Sequence, residues 1–426
     1  MASDTNKWIE GEATSAGPNS PAIVATSVAH GLVDREEVKV FGLDACDTVD
    51  GSFYVTRVGP RQFTLYLDKQ RAEPLTVQSS RPVWVRRPRY EDYAIVVGIN
   101  RYKGFDPLGG AETDAQAFAR WLLSGEGGCL PAANVTKILS SGTDQPPVHR
   151  PNFSDVHSAF HPYSAKAWAA LDRRVGRRLY IFLSGHGITP TRAATPIMEN
   201  AALLMADAVR TDMQHLSGHG YAEWFRTAGA FDEIVLFADC CRDQKNNIVP
   251  NAPSFPILEG DHDRVQVFYA AATGLGSKAY ERRLGEPPAV RGIFSFVLMQ
   301  ALERGAARDA DGRLTASTLM NHIENGVQLL KPEQRPRFLH AARPDIVFFD
   351  GPAQEPPNVT LSFSARYHGT TVKLFGSNYP QHDRVFDAGP DPVSVRLRLG
   401  LYKLKADDGS SRFFEIDVGR VEHVKF

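Results

Sequence analysis

What this chain has little of narrows its chemistry first. Cysteine is scarce: four residues in 426, at Cys46, Cys129, Cys240 and Cys241, with no CxxC spacing. That excludes a disulfide-stapled secreted scaffold and leaves no cluster of the kind that holds a structural zinc. The vicinal pair Cys240-Cys241 is a poor structural disulfide, because neighbouring residues close a strained ring. The expectation is a reduced, cytoplasmic protein whose cysteines pack or react. No run of about 18 apolar residues occurs, which argues against a membrane-spanning helix. The opening MASDTNKWIEGEATSAG is polar and lacks the apolar core of a signal peptide. Neither sign of charge prevails: 48 Lys and Arg stand against 49 Asp and Glu, a formal net charge of -1. With no block of like charge, neither a nucleic acid nor a membrane is the expected partner. No dense acidic cluster suggests calcium, so neither metal nor cofactor is expected.

What is present divides into segments. Residues 1–20 are rich in Ser, Gly, Asn and Thr and read as disordered. Residues 21–87 carry short strand patterns, Val38-Lys39-Val40, Phe53-Tyr54-Val55-Thr56 and Phe63-Thr64-Leu65-Tyr66-Leu67, separated by turn signals such as Asp50-Gly51 and Gly59-Pro60. This small β-domain resembles a short β-module of bacterial and phage proteins, a likeness without chemistry. From residue 88 to 351 the period changes. Apolar strands at Tyr93–Ile99, Val135–Leu139, Leu179–Leu183, Ile234–Ala238 and Val265–Ala270 alternate with helical stretches near 112–124, 164–176, 220–228, 293–305 and 315–330. That alternation predicts an α/β fold, a mostly parallel, doubly wound sheet with helices on both faces. Pro352, Pro356 and Pro357 mark a linker. Residues 352–426 return to period two, as in Val393–Leu399, with a hairpin through Asp408-Gly409, and predict a small C-terminal β-sandwich.

Reactive residues cluster after two of the apolar strands. LSGHG occurs twice, centred on Gly185 and again on Gly218. The first copy follows the Leu179–Leu183 strand, so His186 is delivered to the carboxyl edge of the sheet, where open α/β sheets act on ligands. The second follows Met213-Gln214-His215-Leu216, read as non-strand, and leads into a helical stretch, so His219 is expected in a loop or at a helix start. The strand Ile234–Ala238 runs straight into Asp239-Cys240-Cys241-Arg242-Asp243. If the two strands are neighbours, an imidazole meets a thiol, which is what a nucleophilic cysteine needs. Alternation along an extended strand puts Asp239 and Cys241 on one side and Cys240 on the other. The two cysteines therefore face different surroundings.

With these residues in view, the segment YAIVVGINRY…LGGAETDAQAFARWL…LYIFLSGHG…IVLFADCCRD…VFYAAATGLGSKAYE…GIFSFVLMQAL resembles the caspase-like cysteine peptidases of clan CD, in particular their bacterial and metacaspase branches. His186 and Cys241 are 55 residues apart, close to the separation of about 50 in the caspase pattern. The resemblance implies a Cys–His dyad of His186 and Cys241: the family's strand-Asp-x-Cys-Arg pattern places the nucleophile at Cys241 and Cys240 in the variable middle position, a buried small residue, with backbone N–H groups of Gly187 and Cys241 as the oxyanion hole. Asp243-Gln244 after the nucleophile departs from the usual small residues. Caspases proper select Asp through arginines, but the matching position here is Leu108. The metacaspase branch lines its first pocket with acids, matched by Asp114 and Asp239, so cleavage after Arg or Lys is expected. For each acid a capping or strand-end role stays open, and Glu281 reads equally as pocket or surface. Activating self-cleavage, a zymogen habit of the family, has candidates at Lys245, Arg264 and Arg283. Protein substrates and an activating protease or regulatory protein are the implied partners. Bacterial cell death or antiviral defence is the implied setting. A second reading, of a caspase-fold interaction scaffold without turnover, stays open beside the first.

Overall fold

The computed structural model describes residues 8–15, 20–41, 52–77, 79–142, 149–191, 201–246, 248–249, 251, 253–285, 287–340, 345–351, 356–377, 382–416 and 423–426. Cys46, the Asp50-Gly51 turn, Pro250 and Pro352 lie outside them. The chain divides into two compact units, residues 1–93 with 119–135, and residues 94–118 with 136–426.

The first unit holds a closed six-stranded barrel. Its order around the ring is Ile9–Thr14, Ala22–Thr26, Gln62–Tyr66, Ser52–Gly59, Glu37–Phe41 and Arg81–Arg86, which pairs back onto Ile9–Thr14. Alternate residues point inward, and Val24, Val38, Phe53, Val55, Phe63, Leu65, Val83 and Val85 fill the interior. Residues Ile9–Thr14 correct the expectation of disorder over 1–20. They form a strand because both neighbours offer ladders, Ala13 opposite Val24 on one side and Ile9 opposite Val85 on the other. Gly11 has a physical reason for lacking a side chain: a Cβ there would lie 2.8 Å from the Ala25 carbonyl oxygen.

The second unit is built on a six-stranded sheet in the order Arg337–His340, Gln266–Ala271, Phe231–Cys240, Gly176–Gly185, Asp92–Gly98, Val135–Leu139. Phe231–Cys240 runs parallel to both of its neighbours, and Arg337–His340 is an antiparallel edge. The chain order reverses between Asp92–Gly98 and Gly176–Gly185, the switch point where such sheets open a crevice. Among the described residues five α-helices accompany it: α1 (Ala111–Leu123), α2 (Phe153–Ala169), α3 (Gly218–Thr227), α4 (Ile293–Leu302) and α5 (Ala316–Leu330). Leu179 to Leu183 are all buried completely, as only a strand covered on both faces can be. Phe118 of α1 stacks on Phe182 at 4.7 Å and meets Phe237 edge-on at 5.6 Å. Gly218 of α3 packs instead toward Leu183 and Leu236, which alternate to the opposite side. Helices α1 and α3 therefore lie on opposite faces.

Two local expectations change. Helix α2 begins at Phe153 rather than near 164, despite Pro162 inside it, because Asn152 and Asp155 form a reciprocal capping box. His215–Ser217, read as non-strand, is a three-residue strand of a second sheet, paired with Ala202–Leu204. The C-terminal residues form two small sheets around a shared core that includes Val359, Leu361, Val372, Leu374, Leu404 and Val424. Gly409 at φ 87° turns the hairpin between Gly400–Ala406 and Ser411–Ile416. This β-structure falls within the second unit. Gly326 of α5 sits where a Cβ would be 2.6 Å from Val297 Cγ1 and 3.3 Å from Ser377 Cβ, so α5 closes on both α4 and the C-terminal strands.

Candidate active site

The two reactive strands are direct neighbours, and their register fixes what meets what. Asp239 lies opposite Ser184 and Cys240 opposite Gly185, the last pair of the central sheet. Pairing resumes three residues later, Ile188 opposite Asp243, where the same two segments run on as Gly187–Thr191 and Asp243–Asn246 in the second sheet. Between these ladders each chain has a short interruption. One contains His186 and the other Cys241, so the ladders on either side bring the two residues onto adjacent segments. Both side chains line one recess of about 210 Å³, together with Leu108, Ser184, Asp239, Tyr280, Glu281 and Gly292 among others. His219 is elsewhere, in the first turn of α3, 3.9 Å from Glu223.

The imidazole is oriented from the loop that follows Asp92–Gly98. His186 Nε2 lies 2.8 Å from the Asp106 carbonyl oxygen, which can only accept, so Nε2 donates in this contact. The His186 backbone N–H donates to the Tyr102 hydroxyl at 2.8 Å, and the Tyr102 ring lies 4.8 Å from the imidazole. That loop is itself pinned: Ile99 N–H donates to Ser184 O, Lys103 N–H to Ala206 O and Gly104 N–H to Ala208 O. No side chain third partner was visible in the sequence, and the structure supplies a main-chain one.

Burial pushes the Cys241 thiol up, and a backbone hydrogen bond at Ala279 offsets this only in part. Its Sγ also donates to the Ala279 carbonyl at 3.6 Å. Cys240 is fully buried on the other side of its strand, and burial pushes its thiol up further. Its side chain packs where Gly187 approaches. Iodoacetamide at pH 8 is therefore expected to alkylate Cys241 while sparing Cys240 and the buried Cys129, as read by peptide mass mapping. Labelling of Cys240 first would reverse the assignment.

The three acids are not equivalent. Asp239 lines the recess, and its Oδ2 accepts from Ser295 N–H at 3.0 Å. Burial raises its pKa to about 6. Glu281 reaches across to accept from Gly109 and Gly110 N–H at 3.0 and 2.8 Å. Asp114 is not part of the lining. It is completely buried, accepts from Arg291 and from Gly292 N–H at 2.7 Å, and burial raises its pKa to about 7. Gly292 threads between the acids: a Cβ there would be 2.2 Å from Asp239 Oδ2 and 3.0 Å from Asp114 Oδ2. Arg291, which supplies the countercharge to Asp114, stands in the plain stretch AVRGIF, where no motif marks it.

The self-cleavage candidates also fall in different settings. Lys245 is in a strand, opposite Pro190. Arg264 is tied to Asp232 at 2.8 Å and to the Gly229 carbonyl. Arg283 is exposed on the antiparallel hairpin of Glu281–Leu284 with Ala289–Gly292. Between the first two, Phe255 stacks on His157 at 4.5 Å and Trp224 Nε1 donates to Pro256 O.

Comparison with known proteins gives limited likenesses. No family model matches the chain. A curated protein described as a probable protease, from a Desulfuromonadales bacterium, is 27% identical over 230 residues, which is 50% of this chain and 26% of the relative. The chain thus spans about a quarter of that relative's length. Among solved structures, a Geobacter sulfurreducens protein aligns over 59% of this chain with a TM-score of 0.38 and 13% identity. The structure of pro-sf-caspase-1 aligns over 62% with a TM-score of 0.37 and 14% identity. At those scores the structural likenesses carry no part of the functional argument. Among the described residues, no helix is long and apolar enough to cross a membrane.

Proposed function

We propose that the chain is a caspase-like cysteine endopeptidase of doubly wound design, acting in the cytoplasm with a Cys241–His186 dyad and cleaving proteins after Arg, with Lys second. The observation that carries this is the single recess lined by His186, Cys241, Asp239 and Glu281. In the proposed reaction, His186 Nδ1 takes the thiol proton as Sγ attacks the scissile carbonyl carbon. The oxyanion is held by the N–H groups of Gly187 and Cys241. The imidazolium returns its proton to the departing amine, and water then hydrolyses the thioester. A substrate guanidinium would meet the carboxylates of Asp239 and Glu281, while Asp114, already paired to Arg291, supports the pocket from behind. Processing at Lys245, Arg264 or Arg283, by self-cleavage or by an activating protease, would regulate it, and cell death or antiviral defence would be the setting.

A panel of fluorogenic peptides ending in Arg, Lys or Asp tests this reading. Turnover of the Arg peptide at least tenfold above the Asp peptide is expected. Preference for Asp, or no turnover in any processed form, would leave the scaffold reading in its place. The pocket charge also gives a pH signature. Asp239 is ionised only above about pH 6, so KM for the Arg peptide should fall as pH climbs through that value. Its folded pKa is raised above the usual 3.8. The native state therefore binds the proton more tightly than the unfolded one, and Asp239 costs stability increasingly as pH rises from about 3.8 to about 6. Asp239→Asn should thus raise Tm at pH 8 by a few degrees while weakening Arg-peptide turnover. A loss of both together would contradict a pocket acid held at an energetic cost.

A further inference from the structure

A second, larger cavity of about 470 Å³ opens where the hairpin 281–292 meets α4, α5 and the C-terminal strands Gly400–Ala406 and Ser411–Ile416. Arg282, Arg283, Arg304 and Arg412 line it, against the single acid Glu415, which lies 2.6 Å from Arg304. Among the described residues no carboxylate is within ion-pair reach of Arg282, Arg283 or Arg412. The rest of the wall is apolar, formed by Leu284, Phe296, Leu330, Leu401, Phe413 and Phe414. Lys403 adds to the same field: its ammonium lies 5.0 Å from the Phe413 ring, and its pKa is lowered by burial and then by Lys405 and Arg282. Exposed guanidinium groups beside an apolar wall suit a ligand with clustered negative charge on a flat, apolar body. The volume is in the usual range for a small-molecule site.

We propose that this cavity binds a nucleoside polyphosphate, phosphates on Arg283 and Arg412, base against the apolar wall, and that its occupancy sets the position of the hairpin. The hairpin makes the coupling direct. Arg282, Arg283 and Leu284 face the cavity, while Glu281 and Gly292, at the other end of the same ladder, line the recess beside Cys241. The next register pair, Arg282 with Arg291, joins the cavity to the Asp114 ion pair. The binding half of the proposal is independent of the peptidase reading; the coupling half rests on it.

Calorimetry on the full chain carrying Cys241→Ala, with ATP, GTP, AMP and pyrophosphate as probes, tests the binding half. Micromolar affinity for ATP or GTP is expected, at least tenfold above AMP and above pyrophosphate. Arg283→Glu and Arg412→Glu should each weaken it at least tenfold. Should a reversal lower the ligand-free Tm, Arg283→Gln and Arg412→Gln take its place. Absence of binding, equal affinity for pyrophosphate, or affinity unchanged in the arginine variants overturns the site. For the coupling half, ATP should shift KM of the wild-type chain for an Arg peptide at least threefold and slow hydrogen exchange over 281–292. Binding without slower exchange there overturns the coupling. Slower exchange in a chain that turns over no peptide leaves the site standing and removes the peptidase reading instead.

Discussion

Replacing Cys241 with alanine is expected to abolish peptide cleavage, with kcat/KM falling about 10⁴-fold or more and Tm nearly unchanged. The loss is large because nothing else in the recess can form the thioester: Cys240 faces the opposite side and is fully buried. Stability should hold because the substitution removes one sulfur from a partly exposed side chain whose Sγ makes a long contact to Ala279 O. His186→Ala should cost about as much, and the double variant no more than either, since groups that act as one unit are not additive. Cys240→Ala should retain most of the activity. Steady-state kinetics with an Arg peptide and thermal unfolding of the four variants decide the matter. Appreciable cleavage by Cys241→Ala, or its loss in Cys240→Ala alone, would reassign the nucleophile.

This outcome depends on features that differ in how readable they were. The apolar runs Leu179–Leu183 and Ile234–Ala238 announced buried strands, while their adjacency stayed a condition, and period-two alternation separated Cys241 from Cys240. Those signals are local and made of side chains. The orienting partner of His186 is a main-chain carbonyl at Asp106, and every residue has one, so composition could not select it. Arg291 finds Asp114 across 177 positions, a pairing set by where the hairpin docks. The Ile9–Thr14 strand failed to register because Glu10, Gly11 and Glu12 have weak strand preference; two waiting edges of the barrel decide its conformation. His215–Ser217 is likewise too short for a period to show. Sequence thus specified the chemistry-bearing strands, while tertiary docking specified what surrounds the imidazole and the acids.

The docking is tight at Gly187, and there the second large effect is expected. Gly187→Ala should lower kcat by about 10²–10³-fold, comparable to removing one oxyanion donor, with a smaller change in KM. A Cβ at this position would lie 2.5 Å from the Cys241 carbonyl oxygen, 2.6 Å from Cys240 Cβ and 2.7 Å from Cys240 Sγ. None of these can yield cheaply: the first is backbone, and the cysteine is packed inside the sheet. The chain from His186 to Ile188 must therefore move away from Cys241. That displaces the Gly187 N–H from the point where a substrate oxyanion would develop, and it stretches the interruption that sets His186 against the thiol. Binding of the substrate side chain by Asp239 and Glu281 would be touched less, hence the effect on kcat. Gly389→Ala serves as the control, because a Cβ there meets nothing within 4 Å, and it should be silent in both rate and Tm. Full activity in Gly187→Ala would mean that the main chain beside His186 takes no part in the reaction.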